Sequence, residues 1–121
     1  KLKSPLQNEL QDKNREFPEG LDIVFFDVND SVTSTLKANY GFQNIQEDKY
    51  TVRGNVRVVN KEGKRLFSEE LFWNPQTRKI TTEKFVKIET PTDTLMGMGL
   101  ESNENFTKYK IGKPTGKFLA E

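Results

Sequence analysis

From Leu21 onward the sequence resembles itself at an interval of 30 residues, and the repeating unit is a pair of strands rather than a helix. Laid over itself at that offset, Val28 falls on Val58 and Val58 on Ile88. Leu36 falls on Leu66 and Met96, Ala38 on Ser68 and Met98, Phe42 on Phe72, Tyr50 on Ile80, and Val56 on Val86. Turn residues coincide as well. Asn29-Asp30, Asn60-Lys61-Glu62-Gly63 and Pro91-Thr92-Asp93 form one set; Gln46-Glu47-Asp48, Gln76-Thr77-Arg78 and the Phe106-Thr107-Lys108 region form another. Each unit is therefore strand, tight turn, strand, polar turn. Such a unit cannot bury its apolar face alone, and stacked neighbours complete the core. Short strands spaced about 8–12 residues apart, with turn residues between them, predict an all-β sandwich, roll or barrel.

Side-chain alternation then nominates an inner face. Phe26, Val28, Leu36, Ala38, Tyr40, Phe42, Val56, Val58, Leu66, Val86, Ile88, Met96, Met98 and Leu100 share a parity within their strands and are predicted to point inward. The stretch Leu66–Trp73 resists that rule. Strict alternation sends Glu70 inward with Phe72 and turns Leu71 and Trp73 out; a bulge near Glu69-Glu70 would reconcile it. The inner face has two readings. It is a packed core, or it is a groove for an apolar ligand, where methionine adapts to flexible chains. Residues 1–20 are polar, with Leu2, Leu6 and Leu10 at intervals of four, and end at Pro18 and Gly20. They read as a solvated tether ahead of one domain at 21–121.

Residue usage removes most chemistry. The chain has no Cys and no His, which excludes cysteine nucleophiles, histidine bases and Cys/His zinc sites. A net charge of +1, with no basic stripe, argues against nucleic acid as a partner. Glu69, Glu70, Glu101 and Glu104 would have to face a common cleft to act as an acid–base pair; nothing in their spacing fixes that, and they read as solvated charges. Gly97-Met98-Gly99 lacks the following helix of a phosphate loop and reads as a strand that bends. Phe67, Phe72 and Trp73 read as core before they read as an exposed aromatic platform. Asn29-Asp30-Ser31 and Asn105-Phe106-Thr107 match the N-glycosylation pattern, a short and common one. No stretch reaches the ~20 apolar residues of a membrane-spanning helix. No catalytic residue, metal or cofactor is expected.

Several phrases together resemble the lipopolysaccharide-export proteins of the LptC, LptA and OstA-like group, LptC of the Bacteroidota type most of all. They are Gly54-Asn55-Val56, a glycine-containing turn after it, Leu71-Phe72-Trp73-Asn74, and Gly97-Met98-Gly99-Leu100-Glu101. The resemblance covers roughly 21–116. It implies an antiparallel, partly open β-jellyroll, or β-taco, whose apolar interior shields acyl chains. On that implication Phe26, Val28, Leu36, Tyr40, Phe42, Val56, Val58, Leu66, Val86, Ile88, Met96, Met98 and Leu100 line the acyl-chain groove. Arg53, Arg57 and Lys87 are candidates to meet lipid phosphates at the rim. It further implies a periplasmic location and an N-terminal inner-membrane helix upstream of Lys1. The implied partners are lipopolysaccharide, an inner-membrane ABC transporter, and an LptA-like bridge protein met through edge strands. The reading from another class is a structural or adhesion repeat that binds protein by strand addition and holds no lipid.

Overall fold

A computed structural model of the chain describes residues 1–115; residues 116–121 of the expected domain lie outside the described residues. Among the described residues the chain forms eleven antiparallel strands in one sheet that does not close into a barrel. They are β1 (Leu2–Lys3), β2 (Asn8–Glu9), β3 (Arg15–Phe17), β4 (Leu21–Phe26), β5 (Val32–Ala38), β6 (Tyr40–Asn44), β7 (Lys49–Asn60), β8 (Arg65–Asn74), β9 (Lys79–Glu89), β10 (Thr94–Asn103) and β11 (Tyr109–Thr115). The ladder runs β1-β4-β5-β7-β8-β9-β10-β11, with β2, β3 and β6 joining through β7.

The branch simplifies once registers are compared. β5 pairs with Arg57–Asn60 of β7, and β6 with Lys49–Arg53 of the same strand. β5 and β6 are thus one long strand bent at Asn39, whose N–H donates to the Gly54 carbonyl at 2.9 Å. β3 and β4 likewise follow β6 and β5 and are separated by Pro18-Glu19-Gly20. The bend continues across the sheet as register shifts between Arg53 and Val56 in β7, Ser68 and Phe72 in β8, and Met98 and Leu100 in β10. Bulges add a residue to one strand and increase its local bend. Aligned on neighbouring strands, they crease the whole sheet. Left-handed backbone accompanies the shifts in β7 and β10, on Gly54 (φ 82) and Asn55 (φ 47) and on Gly99 (φ 86), and at the two glycines a β-carbon would carry a penalty.

The crease folds the two ends of the strands toward each other. Phe25 near the end of β4 meets Trp73 at the opposite end of β8, edge-on at 5.1 Å, although three ladder steps separate those strands. The core lies between the halves. Leu36, Val58, Leu66, Val86 and Ile88 supply one wall; Val52, Leu71, Ile80 and Leu100 supply the other.

The turns confirm the repeat in chemical detail. The Asp27 carboxylate accepts the N–H groups of Asn29 and Ser31, and the Asn60 amide oxygen accepts those of Glu62 and Lys64. Thr90 Oγ1 does the same for Thr92 and Asp93. At the other strand ends, Asn44, Asn74 and Asn103 cap their turns through side-chain oxygens. A short polar side chain that mimics a backbone acceptor is what makes these residues turn formers.

Two expectations require correction. The segment 1–20 is not a free tether: it adds β1, β2 and β3 to the sheet, and Phe17 is a core residue at 1% exposure. Part of the inner-face assignment also fails. Leu36, Ala38, Val56, Val58, Leu66, Val86, Ile88 and Leu100 point inward. Phe26 and Met98 do not, and Val28, 97% exposed, stands in a turn. In β4 the inward set is Leu21, Ile23 and Phe25, ending at a register shift between Phe25 and Phe26. The bend at Asn39 resets parity in β6. Gly41 faces Leu21 and Phe17 there, so Tyr40 and Phe42 stand on the outer side, only partly buried. The register shift at Gly99, opposite an extra residue in β9, does the same in β10, leaving Met96 and Met98 on the face opposite Gly97 and Leu100.

Candidate functional site

The interior between the two halves is the only place where the fold gathers one chemistry on a large scale among the described residues. Its walls are aliphatic, and the largest fully buried side chains include Phe17, Ile23, Leu36, Leu66, Leu71, Ile80, Ile88 and Phe106. Sequence reasoning missed Phe17, Leu21, Ile23, Phe25, Val52, Leu71, Ile80 and Phe106. The alternation Leu21-Ile23-Phe25 carried a usable signal. Phe106 had none, since an aromatic residue in a polar turn gives no parity to follow.

The mouth of the interior, where the strand ends meet, is polar and closed. Ser34 Oγ donates to the Glu104 carbonyl at 2.6 Å, and Asn60 Nδ2 donates to the Phe106 carbonyl at 2.8 Å. Thr33 Oγ1 is hydrogen-bonded to Asn105 Oδ1. The Trp73 indole donates to Glu104 Oε2 at 2.8 Å, and Arg78 Nε reaches the other carboxylate oxygen at 3.4 Å. These partners come from β5, β7, β8 and the β8–β9 turn on one side and the β10–β11 turn on the other. Aromatic rings line the seam: Tyr50 stacks on Trp73 at 4.7 Å, Phe106 on Tyr109 at 4.9 Å, and the Lys64 ammonium lies 5.7 Å from the Tyr109 ring centre. Burial, with a smaller push from the Asp48 charge, raises the Tyr50 hydroxyl above its ordinary range.

The alternation does break near Glu69-Glu70, but as a register shift in which the neighbouring strands β7 and β9 carry the extra residues, and Leu71 is fully buried. Glu70 is outside and takes the Arg53 guanidinium at 2.7 Å. Arg57 donates to the Asn55 carbonyl, and Lys87 pairs with Glu89 at 3.3 Å. The candidate rim cations thus stand on the outer surface, occupied by the protein's own acceptors. Of the four glutamates weighed as acid–base partners, Glu101 is exposed, and the hydrogen bond from the Lys79 ammonium beside it holds its carboxyl below the ordinary range. Glu104 is the buried exception, spent on Trp73 and Arg78. Clefts do occur on the outside. One of about 470 Å³ is lined by Phe42, Thr51, Phe72 and Thr81. Another of about 630 Å³ lies over the register shift at Gly99.

The family model described as lipopolysaccharide-assembly, LptC-related, matches residues 7–111. The chain belongs to the LptC-related family. A similar solved structure is that of LptH from Pseudomonas aeruginosa, described as the LptA-homologous periplasmic component of the lipopolysaccharide transport device. It superposes with a TM-score of 0.66 at 12% identity, over 100% of this chain and 87% of that one. At that identity the likeness is one of fold, the β-jellyroll. No curated protein gives a significant match. The LptC-related match begins inside the segment read as a tether, in keeping with β2 and β3 as parts of the fold. No helix among the described residues is long and apolar enough to cross a membrane.

Proposed function

We propose that this chain is a periplasmic component of lipopolysaccharide export that holds acyl chains against its inner face and passes the lipid from an inner-membrane ABC transporter to an LptA-like bridge. Membership of the LptC-related family supports the export role. The observation that carries the lipid reading is the aliphatic interior shared by both halves of the crease, bounded at the mouth by non-covalent contacts alone. Burying an acyl chain is worth about 0.8 kcal/mol per methylene. Walls such as Leu36, Val58, Leu66, Val86, Ile88 and Leu100 would desolvate it without a catalytic group. The energy for transport comes from the ATPase, and anchoring comes from a helix upstream of Lys1. Transfer uses edge pairing: among the described residues β11 has a ladder on one side only, and an open edge templates another strand.

One observation favours the reading without lipid. The interior is filled by its own side chains, with Leu36, Val58, Leu66 and Phe106 all at 0% exposure. A protein-binding repeat would look the same. Aliphatic diazirine side chains placed separately at Val58 and Arg57 decide between them. The two are neighbours on opposite faces of β7. Illumination with lipopolysaccharide is expected to give adducts at Val58 and not at Arg57. Adducts at neither position, in folded protein, would abandon the lipid reading for the protein-binding one.

A further inference from the structure

The seam at the mouth is carried by one turn. Among the described residues, the three side-chain hydrogen bonds that β5 and β7 send across the interior end on Glu104, Asn105 or Phe106, in the β10–β11 connection. The corresponding turns after β6 and β8 do not fold inward. Ile45–Asp48 and Gln76–Arg78 are mostly exposed, and their left-handed residues are the polar Asp48 (φ 52) and Arg78 (φ 59). In the β10–β11 turn the left-handed position holds Phe106 (φ 54), with its ring fully buried. A bulky residue at positive φ is strained, by about 1–3 kcal/mol, and persists only where surrounding contacts over-determine it. Here those contacts are the seam itself.

Resting on the lipid reading above, we infer that the β10–β11 turn is a latch on the groove and that Phe106 is a built-in stand-in for a segment of acyl chain. The ring is apolar and lies where the two walls meet. Its backbone is tied by polar bonds, which water can replace when the turn swings out. Strain at Phe106 is released in that movement, so the latch is easier to open than its hydrogen bonds imply. Lipid then takes the apolar space the ring leaves, and the opened mouth admits chains longer than one ring. The polar side chains Thr33, Ser34 and Asn60 are set on β5 and β7 near their ends, and the Ser34–Asn60 pair borders the Leu36–Val58 pair of the acyl-binding wall, so opening the latch uncovers that wall directly.

The test uses the chain's lack of cysteine. A Thr33→Cys/Asn105→Cys pair introduces the only disulfide, across the seam. With the diazirine at Val58, lipopolysaccharide adducts are expected in the reduced form and to fall about tenfold or more on oxidation, because the competent state is removed. Reduction restores them. Phe106→Ala, checked for folding by circular dichroism, is expected to form adducts several-fold faster than the parent. Equal adducts in the oxidised and reduced pair overturn the latch while leaving the lipid reading intact, as do slower adducts in folded Phe106→Ala. No Val58 adduct in the parent chain overturns both.

Discussion

Leu71 and Phe72 are neighbours with opposite fates, and the difference is set by the register shift that β8 makes against β7 and β9. Alternation from Leu66 would bury Phe72; the shift between Ser68 and Phe72 buries Leu71 completely and leaves Phe72 at 38% exposure. Leu71→Ala is therefore expected to cost about 2–5 kcal/mol, since a cavity opens inside the roll. Phe72→Ala is expected to stay within about 0.5 kcal/mol, as surface changes do. Urea unfolding of the two variants measures both, and equal losses would remove the register shift from the account. Asp27 tests the turn chemistry. The N–H groups of Ser31 and then Asn29 hold its carboxyl below the ordinary 3.8. A carboxyl lowered on folding adds stability above its unfolded pKa and loses it as pH falls through the folded one. Unfolding free energy should thus decline more steeply below about pH 4 in the parent than in Asp27→Asn. An unchanged slope would mean that the carboxylate does no more than an amide.

At the scale of the element, what was legible in the sequence and what was not divide at the crease. The strands, their turns and the order of repeats are local: each turn announces itself by an Asp, Asn or Thr that accepts its own backbone. Facing is not local, because every irregularity reverses it. Val56, Val58, Leu66, Val86 and Ile88 lie on the side of the crease where their strands' alternation was read, and they face inward. Phe42 and Met98 were extrapolated across Asn39 and Gly99 and face outward. Phe26 failed at the shift beside it. The glycines were visible, but not which of them would sit at a register shift. Asn60 shows how one side chain serves two elements. Its oxygen caps the β7–β8 turn and its nitrogen holds the β10–β11 turn. Asn60→Asp keeps the cap and removes the donor, setting a carboxylate against a buried carbonyl. A loss of about 1–3 kcal/mol follows from a buried group left unpaired. Its amide-exchange signature should be confined to Glu104–Lys108 and leave Glu62 and Lys64 protected. Exchange rising equally in both turns would contradict the division of labour.

On the scale of the whole molecule, the segment 1–20 decides where the domain begins. A tether could be removed without consequence. A set of strands whose Phe17 closes one end of the core could not. Phe17 packs close to Gly41, where even a β-carbon would come within 3.3 Å of its ring, and β3 supplies the ladder partner of β6. The β1 backbone is tied as well, with the Lys1 carbonyl accepting the Val24 N–H at 2.7 Å. Phe17→Ala is expected to cost about 3–5 kcal/mol, a large share of the 5–15 kcal/mol that holds a domain of this size together. Deleting residues 1–17 should do more, because it uncovers the β6 edge along with the core. The same sheet spans both sides of residue 20, so thermal unfolding of the intact chain should be a single transition seen alike by Trp73 fluorescence and far-ultraviolet circular dichroism. If the deletion instead melts at the parent's temperature, residues 1–17 are a tether after all, and the core stands on β4–β11 alone.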